Sequence, residues 1–372
     1  MANVFDYLTW RGDLSFAQSP FNPVDNIIFS QLSYLPLDHI MPGPDKKNGI
    51  SIDLLAKNFA ESLSHETSHL HPELMFKDAP AFVSALGSSK RFKNCELWAY
   101  VNHVDISQEK QFSALSIIIG DGSSFIVYRG TDANIVGWKE NFNMGFSEAV
   151  PAQLEAVSYL EKAAKIIKGP LRIGGHSKGG NLAVYAAAFC NKKIRRRISE
   201  IYSNDAPGFH HQVIESEGFQ SIKERIYSFV PQSSIVGMLL EHGSPYTVIK
   251  SSQSGLMQHD LYSWEVTHND MVRLDRVTQG SRFVDKTLRE WISSLDYDHR
   301  QQFIEALYTI LSASQAKSIP ELTGDWFNAA GRMIQSLGNI DEHTRTLIGK
   351  TLAALFRAAR NNIDTLFKPE NK

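Results

Sequence analysis

The sequence has very little cysteine: Cys95 and Cys190 are the only two among 372 residues. Two cysteines are too few for a disulfide framework, and Cys190 falls in an alanine-rich stretch where it is expected as a small core residue. No grouping of cysteine and histidine has the spacing of metal ligands. The sequence therefore excludes disulfide scaffolds and zinc modules, and we expect neither a metal nor another cofactor.

An excess of either charge is also absent, with 38 Lys and Arg against 40 Asp and Glu and a formal net charge of −2. This balance gives no reason to expect nucleic acid or an anionic membrane as a partner. The basic run 192–197 is interpreted as a solvated helix end, the alternative being contact with acidic lipid headgroups or nucleic acid. No apolar run approaches the roughly 20 residues of a membrane span, and the first residues lack a signal-peptide pattern. We therefore expect a cytoplasmic protein without a membrane span.

The pattern of predicted elements divides the chain into three regions. Residues 1–92 combine helices with proline-bearing loops and predict an N-terminal segment that packs on the core. In residues 93–275 strands alternate with helices, which indicates an α/β core with a mostly parallel central sheet flanked by helices. Residues 276–372 predict an all-helical region, whose apolar faces we interpret as core packing. The alternatives for this region are a cap over the sheet or the pocket, or a surface for homo-oligomerisation.

The core region has a regular succession of β-formers and amphipathic stretches. Strands are predicted at 97–104, 112–119, 125–128, 198–203, 226–230 and 246–250, and helices at 152–167 and 213–225. Gly120-Asp121-Gly122 predicts a hairpin turn between the second and third of these strands. The sheet should therefore open with an antiparallel hairpin before it becomes parallel.

The most informative motif is Gly175-His176-Ser177-Lys178-Gly179, which lies between a short apolar strand and a predicted helix. This is G-x-S-x-G in a strand–turn–helix context, where glycines let strand and helix approach closely and the serine is held out of a sharp turn. The start of the following helix also favours a developing oxyanion. The motif predicts Ser177 as a nucleophile, the alternative being a glycine-rich turn with an incidental serine.

A serine hydroxyl needs a general base, which in this arrangement lies downstream at the end of a late strand. His259 follows the last predicted strand after a serine- and glycine-rich loop, and we predict it as the base. His242 and His268 are the alternatives. His210 and His211 fall at a predicted helix start and are interpreted as surface or packing residues.

The acid that orients the histidine should lie at a strand end between the nucleophile and the base. Asp205 ends the first strand after the nucleophile and is the predicted acid. The next strand end has no carboxylate, so that Ser234 would have to replace it there. A further alternative is that Asp205 only stabilises the turn before Pro207-Gly208.

The oxyanion hole should combine a donor at the residue after the nucleophile with a donor from an earlier strand end. The backbone N–H of Lys178 is the first predicted donor. The apolar strand 125–128 is followed by Arg129-Gly130-Thr131, and Thr131 could donate through both its N–H and its hydroxyl. We therefore predict Thr131 and Lys178 as the oxyanion hole.

These residues together resemble the class 3, or fungal-type, lipases, which pair Arg-Gly-Thr after an apolar strand with a downstream Gly-His-Ser-x-Gly. The resemblance covers about residues 97–266, and Trp138 adds to it. Over its full length the chain is similar to a bacterial family of uncharacterised lipase-like α/β hydrolases, through the runs 6–13, 20–25, 176–182 and 258–260. The resemblance implies that the core 93–275 is α/β-hydrolase-like.

Two positions depart from the class 3 pattern. Those lipases carry the acid in an Asp-x-Val element, which here reads Ser234-Ile235-Val236, whereas some other lipases carry it one strand earlier, where Asp205 lies. Lys178 stands where lipases usually have a small or apolar residue. We expect its side chain to point to solvent, with a preference for anionic substrates as the alternative.

We therefore expect a serine hydrolase that cleaves carboxylic esters through an acyl-enzyme intermediate, acting on a small-molecule acyl ester or a lipid-like substrate. An intracellular thioesterase or acyltransferase is an alternative, because the acyl-enzyme step is shared. A non-catalytic binding or scaffold protein that retains the hydrolase fold is the alternative from another class. The N-terminal loops and residues 134–147 are the candidates for a lid.

Overall fold

In the computed structural model the described residues are 1–42, 49–65, 78–105, 107–131, 140, 144, 149–294 and 342–366. The lid candidate 134–147, apart from Glu140 and Met144, lies outside them, as do Trp138 and residues 295–341. Across the described ranges, no helix combines the length and the apolar character that crossing a membrane requires.

The centre of the fold is a mixed β-sheet. The strands are β1 (Ile50–Ser51), β2 (Glu96–Asp105), β3 (Lys110–Ile118), β4 (Ser124–Tyr128), β5 (Leu171–His176), β6 (Ile198–Asn204), β7 (Ile226–Pro231), β8 (Tyr246–Ile249), β9 (Val266–Thr267), β10 (Asp270–Met271) and β11 (Arg273–Leu274). Within the described part of the chain, nine of them form one sheet in the order β1-β2-β3-β4-β5-β6-β7-β8-β11. Strands β4 to β8 are parallel, and the strands on either side of them pair antiparallel. The predicted antiparallel opening at 120–122 is confirmed.

Helices cover both faces of this sheet. They are α1 (Val4–Arg11), α2 (Pro23–Leu32), α3 (Ile52–His65), α4 (Ala79–Ser88), α5 (Pro151–Ile166), α6 (Lys178–Phe189), α7 (Lys192–Arg195), α8 (His211–Glu215), α9 (Glu217–Ile222), α10 (Gln279–Ser294) and α11 (Glu342–Asn362). Strand β4 separates the two cores, because alternate side chains of a strand point to opposite faces. Phe125 and Val127 join the core under the N-terminal helices, whereas Ile126 and Tyr128 join the core under α5 and α6. The mixed α/β class is therefore confirmed.

The N-terminal segment is held together by a buried ion pair. Arg91 binds the Asp25 carboxylate through two nitrogens, at 2.8 and 2.5 Å, and both side chains are fully buried. The Tyr7 hydroxyl donates to Asp25 at 2.9 Å and accepts from the Asn22 amide at 2.7 Å. Asn22 also begins α2 with a capping box that it shares with Asp25. The runs 6–13 and 20–25 thus supply side chains that hold this segment together.

One predicted helix is wrong in its extent. The range 213–225 is two short helices, α8 and α9, followed by a 3₁₀ turn at Lys223–Arg225. Ser216 separates the helices because its backbone is extended and its hydroxyl accepts the Phe219 N–H at 3.2 Å, as an N-cap does. The proposed boundaries at 92/93 and 275/276 stay predictions. Helices α10 and α11 are the described parts of the C-terminal region.

Candidate active site

The predicted nucleophile lies on a strained turn between β5 and α6. Ser177 has φ 57° and ψ −133°, a backbone conformation that a residue with a side chain rarely adopts. The neighbouring glycines make the turn possible: a Cβ at Gly175 or at Gly179 would lie 2.3 or 2.0 Å from the carbonyl oxygen of Tyr128. Ser177 itself is 7% exposed. The turn is therefore packed tightly against the end of β4.

The neighbouring strand β6 holds the serine turn in place. The N–H of Ser177 donates to the carbonyl of Asn204 at 2.9 Å. The side chain of Asn204 donates to the carbonyl of Gly175 at 3.0 Å and exchanges two hydrogen bonds with the amide of Asn26. It also donates to the hydroxyl of Ser30 at 3.0 Å. Helix α2 thus supports the serine turn through a buried amide pair, which the sequence reasoning did not identify.

The predicted base and acid are in direct contact. His259 Nδ1 lies 2.6 Å from Asp205 Oδ2, and the Asp205 side chain is 1% exposed. The other oxygen, Oδ1, accepts from the Ser234 hydroxyl at 2.5 Å and from the Gly237 N–H at 3.1 Å. The Gly208 N–H donates to the carbonyl of Leu239 at 2.8 Å and not to Asp205, so the carboxylate does not stabilise the turn before Pro207-Gly208. Ser234 contacts the acid rather than the histidine.

The other histidine candidates have different partners. His242 Nε2 bonds to the carbonyl of Gly237, and burial lowers its pKa. His211 forms an exposed ion pair with Glu215 one helical turn away. His268 contacts the adjacent Thr267 hydroxyl and is exposed. Of the five histidines considered, the structure brings His259 to Asp205.

The histidine of the motif packs against the predicted base. The ring centroids of His176 and His259 are 4.2 Å apart, which brings the base beside the residue that precedes Ser177. The Tyr34 hydroxyl lies 2.9 Å from His176 Nδ1. Burial, and after it the neighbouring His259, hold the pKa of His176 well below its ordinary value. His176 is therefore a neutral side chain that packs against the His259 ring.

The lowered pKa of His176 predicts that the protein loses stability in acid. The unfolded chain takes up a proton on His176 near pH 6.5, whereas the folded protein resists it, so stability falls as the pH drops below that value. The loss reaches about 1.4 kcal/mol per pH unit for this one group. Denaturant unfolding between pH 7.5 and 5 should give a shallower decline for His176→Asn than for the natural chain. Equal slopes in the two proteins would contradict the assignment.

The side chain of Lys178 is buried, so the expectation that it points to solvent is wrong. Its Nζ donates to Glu140 Oε2 at 2.8 Å and to the carbonyl of Gln111 at 2.7 Å, and both charged side chains are 1% exposed. Glu140 also accepts the N–H of Gln111 at 3.1 Å and that of Ala152 at 2.9 Å. The lysine therefore joins α6 to β3 and, through Glu140, to the start of α5, and it is not exposed to solvent. A buried lysine requires a carboxylate partner, but the sequence alone does not identify which one.

The loop after β4 passes directly over the serine turn. A Cβ at Gly130 would lie 3.0 Å from Ser177 Cβ and 2.6 Å from the carbonyl of His176. Thr131 Oγ1 is buried and, among the described residues, has no hydrogen-bond partner. An unpaired buried hydroxyl is costly in a folded protein unless a ligand or a reacting group uses it. Thr131 thus places beside the serine turn a hydroxyl that no described residue uses.

Two arginines of the basic run 192–197 bind the carboxyl ends of helices. Arg195 donates to the carbonyls of Ala187, Ala188 and Cys190 at the end of α6. Arg197 likewise donates to main-chain carbonyls at the end of α5. Cations at helix carboxyl ends complement the helix dipole. The helix-end interpretation is right for these arginines, although their guanidinium groups bind carbonyls as well as facing solvent.

The described residues contain no cluster of histidine, cysteine, aspartate or glutamate that could hold a metal ion. One described cleft lies away from Ser177, His259 and Asp205, at the sheet edge beside α10, with a volume of about 590 Å³. It is lined by Arg273, Arg276, Asp285 and neighbouring residues.

The mixed sheet, the strained serine turn and the Asp205–His259 pair together define a lipase-like α/β protein. The chain belongs to the Mbeg1-like family, a lipase-like family whose model matches residues 86–309. Membership of a lipase-like family is thereby confirmed, and the bacterial source stays a prediction. Among curated proteins, no relative matches the chain.

Three solved structures are distantly similar. A native Rhizomucor miehei lipase propeptide complex is 14% identical, with 53% of this chain and 66% of that chain covered and a TM-score of 0.34. For M37 lipase the identity is 16%, the coverage 57% and 68%, and the TM-score 0.35. A triacylglycerol lipase from Penicillium expansum is 11% identical, with 49% of this chain and 74% of that chain covered and a TM-score of 0.31. Likeness at this level carries no assignment of activity.

Proposed function

We propose that this protein is a serine hydrolase of carboxylic esters that works through an acyl-enzyme intermediate. The observation that carries the proposal is the 2.6 Å contact between Asp205 Oδ2 and His259 Nδ1 beside the strained turn of Ser177. A carboxylate at Nδ1 fixes the imidazole tautomer that leaves Nε2 free to accept a proton. The proposed reaction also requires a hydrogen bond from Ser177 Oγ to His259 Nε2.

In the proposed reaction, Ser177 Oγ attacks the acyl carbon while His259 Nε2 takes its proton and later returns it to the leaving group. The Lys178 N–H lies at the start of α6, where the helix dipole favours a developing negative charge. Together with Thr131 it would stabilise the oxyanion. The same arrangement would serve a thioester or an acyl acceptor other than water, and a small acyl ester or lipid-like molecule is the proposed substrate class.

Labelling with a fluorophosphonate probe tests the proposal, because the probe phosphonylates an activated serine. Intact mass should increase by one adduct, and peptide mapping should locate it at Ser177. Labelling of His259→Ala should be slower by a factor of about 10² or more, because the hydroxyl then has no base. A folded protein that takes up no adduct, or one labelled at another serine, would contradict the proposal. A panel of matched oxygen esters and thioesters then separates the two substrate classes.

A further inference from the structure

Asn204 is linked to both the proposed nucleophile and the proposed acid. It is the last residue of β6, and its carbonyl accepts the N–H of Ser177 at 2.9 Å. Its side-chain amide donates to the carbonyl of Gly175, two residues before the serine, at 3.0 Å. Asp205 follows it directly in the chain, with a φ of 45° in the left-handed region. A small displacement of Asn204 would therefore disturb Ser177 and Asp205 together.

The amide of Asn26, on α2, fixes the orientation of the Asn204 amide. Asn26 Nδ2 donates to Asn204 Oδ1 at 2.9 Å, and Asn204 Nδ2 donates to Asn26 Oδ1 at 3.0 Å. Ser30, one turn further along α2, also accepts from Asn204 Nδ2 at 3.0 Å. All three side chains are fully buried, and no other described residue donates to Asn204 Oδ1. Turning the Asn204 amide over would bring its oxygen against the carbonyl of Gly175, so the pair determines which edge faces the serine turn.

Stability alone does not account for an amide at position 26. The next residues of α2, Ile27 and Ile28, are fully buried as well. A Cβ at Gly174 would lie 3.1 Å from Asn26 Oδ1, so this glycine lets the amide come against β5, the strand that leads to Ser177. An apolar side chain could pack there with no polar group to satisfy, whereas a buried amide is favourable only when its partners are present. The amide pair instead specifies how α2 and the serine turn fit together.

We propose that Asn26 is a positioning residue for the reaction. Its amide fixes Asn204, and Asn204 sets the positions of Ser177 and Asp205. The inference rests on the proposed function, in which these two side chains act in one reaction. It makes helix α2 a part of the active site, whereas the sequence predicted only that the N-terminal segment packs on the core.

Asn26→Leu should lower kcat about 10²-fold with little change in KM, because a displacement of about 1 Å in a reacting group has an effect of that size. Leucine has a similar volume, but it removes both bonds of the pair and leaves Asn204 Oδ1 buried without a donor. Tyr7→Phe is the matched control, because the Tyr7 hydroxyl is a buried group of the same segment that bonds only to Asp25 and Asn22 among the described residues. The control should lose stability and keep its kcat. Hydrolysis of a chromogenic ester, corrected for the folded fraction, gives both values, and a natural kcat in Asn26→Leu would overturn the inference.

The double variant Asn26→Leu/Asn204→Leu separates positioning from stability. Replacing both amides removes the unpaired oxygen, so its free energy of unfolding should recover part of what Asn26→Leu loses. Its kcat should stay low, because the bond to the carbonyl of Gly175 is not restored. If kcat instead returns together with stability, Asn26 has only a structural role and the inference is wrong. Asn26→Ser, which leaves space for a water molecule at Asn204 Oδ1, replaces the leucine variant if that one does not fold, and its kcat should be at least about tenfold lower than that of the natural chain.

Hydrogen exchange of the Ser177 amide gives a readout that does not need a substrate. This N–H donates to the Asn204 carbonyl, so it should exchange at least about tenfold faster in Asn26→Leu than in Tyr7→Phe when the two are compared at equal stability. If the natural chain labels with fluorophosphonate but the two variants exchange at the same rate, the inference is wrong. If the natural chain does not label while exchange at Ser177 is faster in Asn26→Leu, the proposed function fails and the support of the serine turn by Asn26 stands.

Discussion

Replacing Ser177 by alanine is expected to lower kcat for ester hydrolysis by about 10⁴- to 10⁶-fold, since no other group can form the acyl-enzyme. The substitution removes only the hydroxyl. Alanine keeps the Cβ that serine already carries at φ 57°, so the strained turn is unchanged. Hydrolysis of a chromogenic acyl ester by the two proteins, measured under saturating conditions, gives the ratio.

Ser203→Ala is the matched control for this measurement. Ser203 lies on the neighbouring strand β6 and is 6% exposed, close to the 7% of Ser177. The same atom is removed from a similarly buried site, yet kcat should stay within about twofold of the natural chain, since Ser203 has no part in the proposed reaction. Unchanged turnover in Ser177→Ala, with circular dichroism like that of the natural chain, would refute the serine mechanism.

The second large effect concerns stability. Lys178→Met is expected to lower the free energy of unfolding by about 3–5 kcal/mol, because it leaves the Glu140 carboxylate buried without its cation. Methionine fills similar space, so the loss measures the unpaired charge more than a cavity. Adding Glu140→Gln removes that charge, and the double variant should be more stable than Lys178→Met alone. Urea unfolding followed by tryptophan fluorescence gives these free energies.

Lys192→Met is the control for the ion pair. Lys192 pairs with Glu217 at 2.7 Å, but the two side chains are 68% and 78% exposed. Solvent screens such pairs, so this substitution should change the free energy of unfolding far less than Lys178→Met does. A similar loss in the buried and the exposed variant would mean that the burial of the Lys178–Glu140 pair is not what makes it matter.

The proposed site residues were predicted from short motifs in the sequence. Ser177 follows from the spacing of its glycines, and His259 and Asp205 from their places after strands. The choice between Asp205 and Ser234 stayed open, because strand order alone does not say which side chain reaches the histidine. In the structure Asp205 contacts His259, and the Ser234 hydroxyl donates to Asp205.

The supports of the site could not be predicted, because they come from distant parts of the chain. Asn26 and Tyr34 lie in and just after an N-terminal helix whose apolar periodicity predicts a buried face but not the strand on which it docks. Glu140 meets Lys178 across 38 residues, and nothing local in the sequence pairs them. The split of 213–225 depends on a serine N-cap that interrupts an otherwise continuous helical pattern.

The amide pair of Asn26 and Asn204 joins residues 178 positions apart. During synthesis on the ribosome, α2 therefore leaves the exit tunnel long before the strand that it must bind. The N-terminus waits still longer, because the Ala2 carbonyl accepts the N–H of Val266 at 3.0 Å. Contacts of such long range close late and at a cost in chain entropy. The nascent chain must therefore carry α2 without its partner on β6 until that strand has been made.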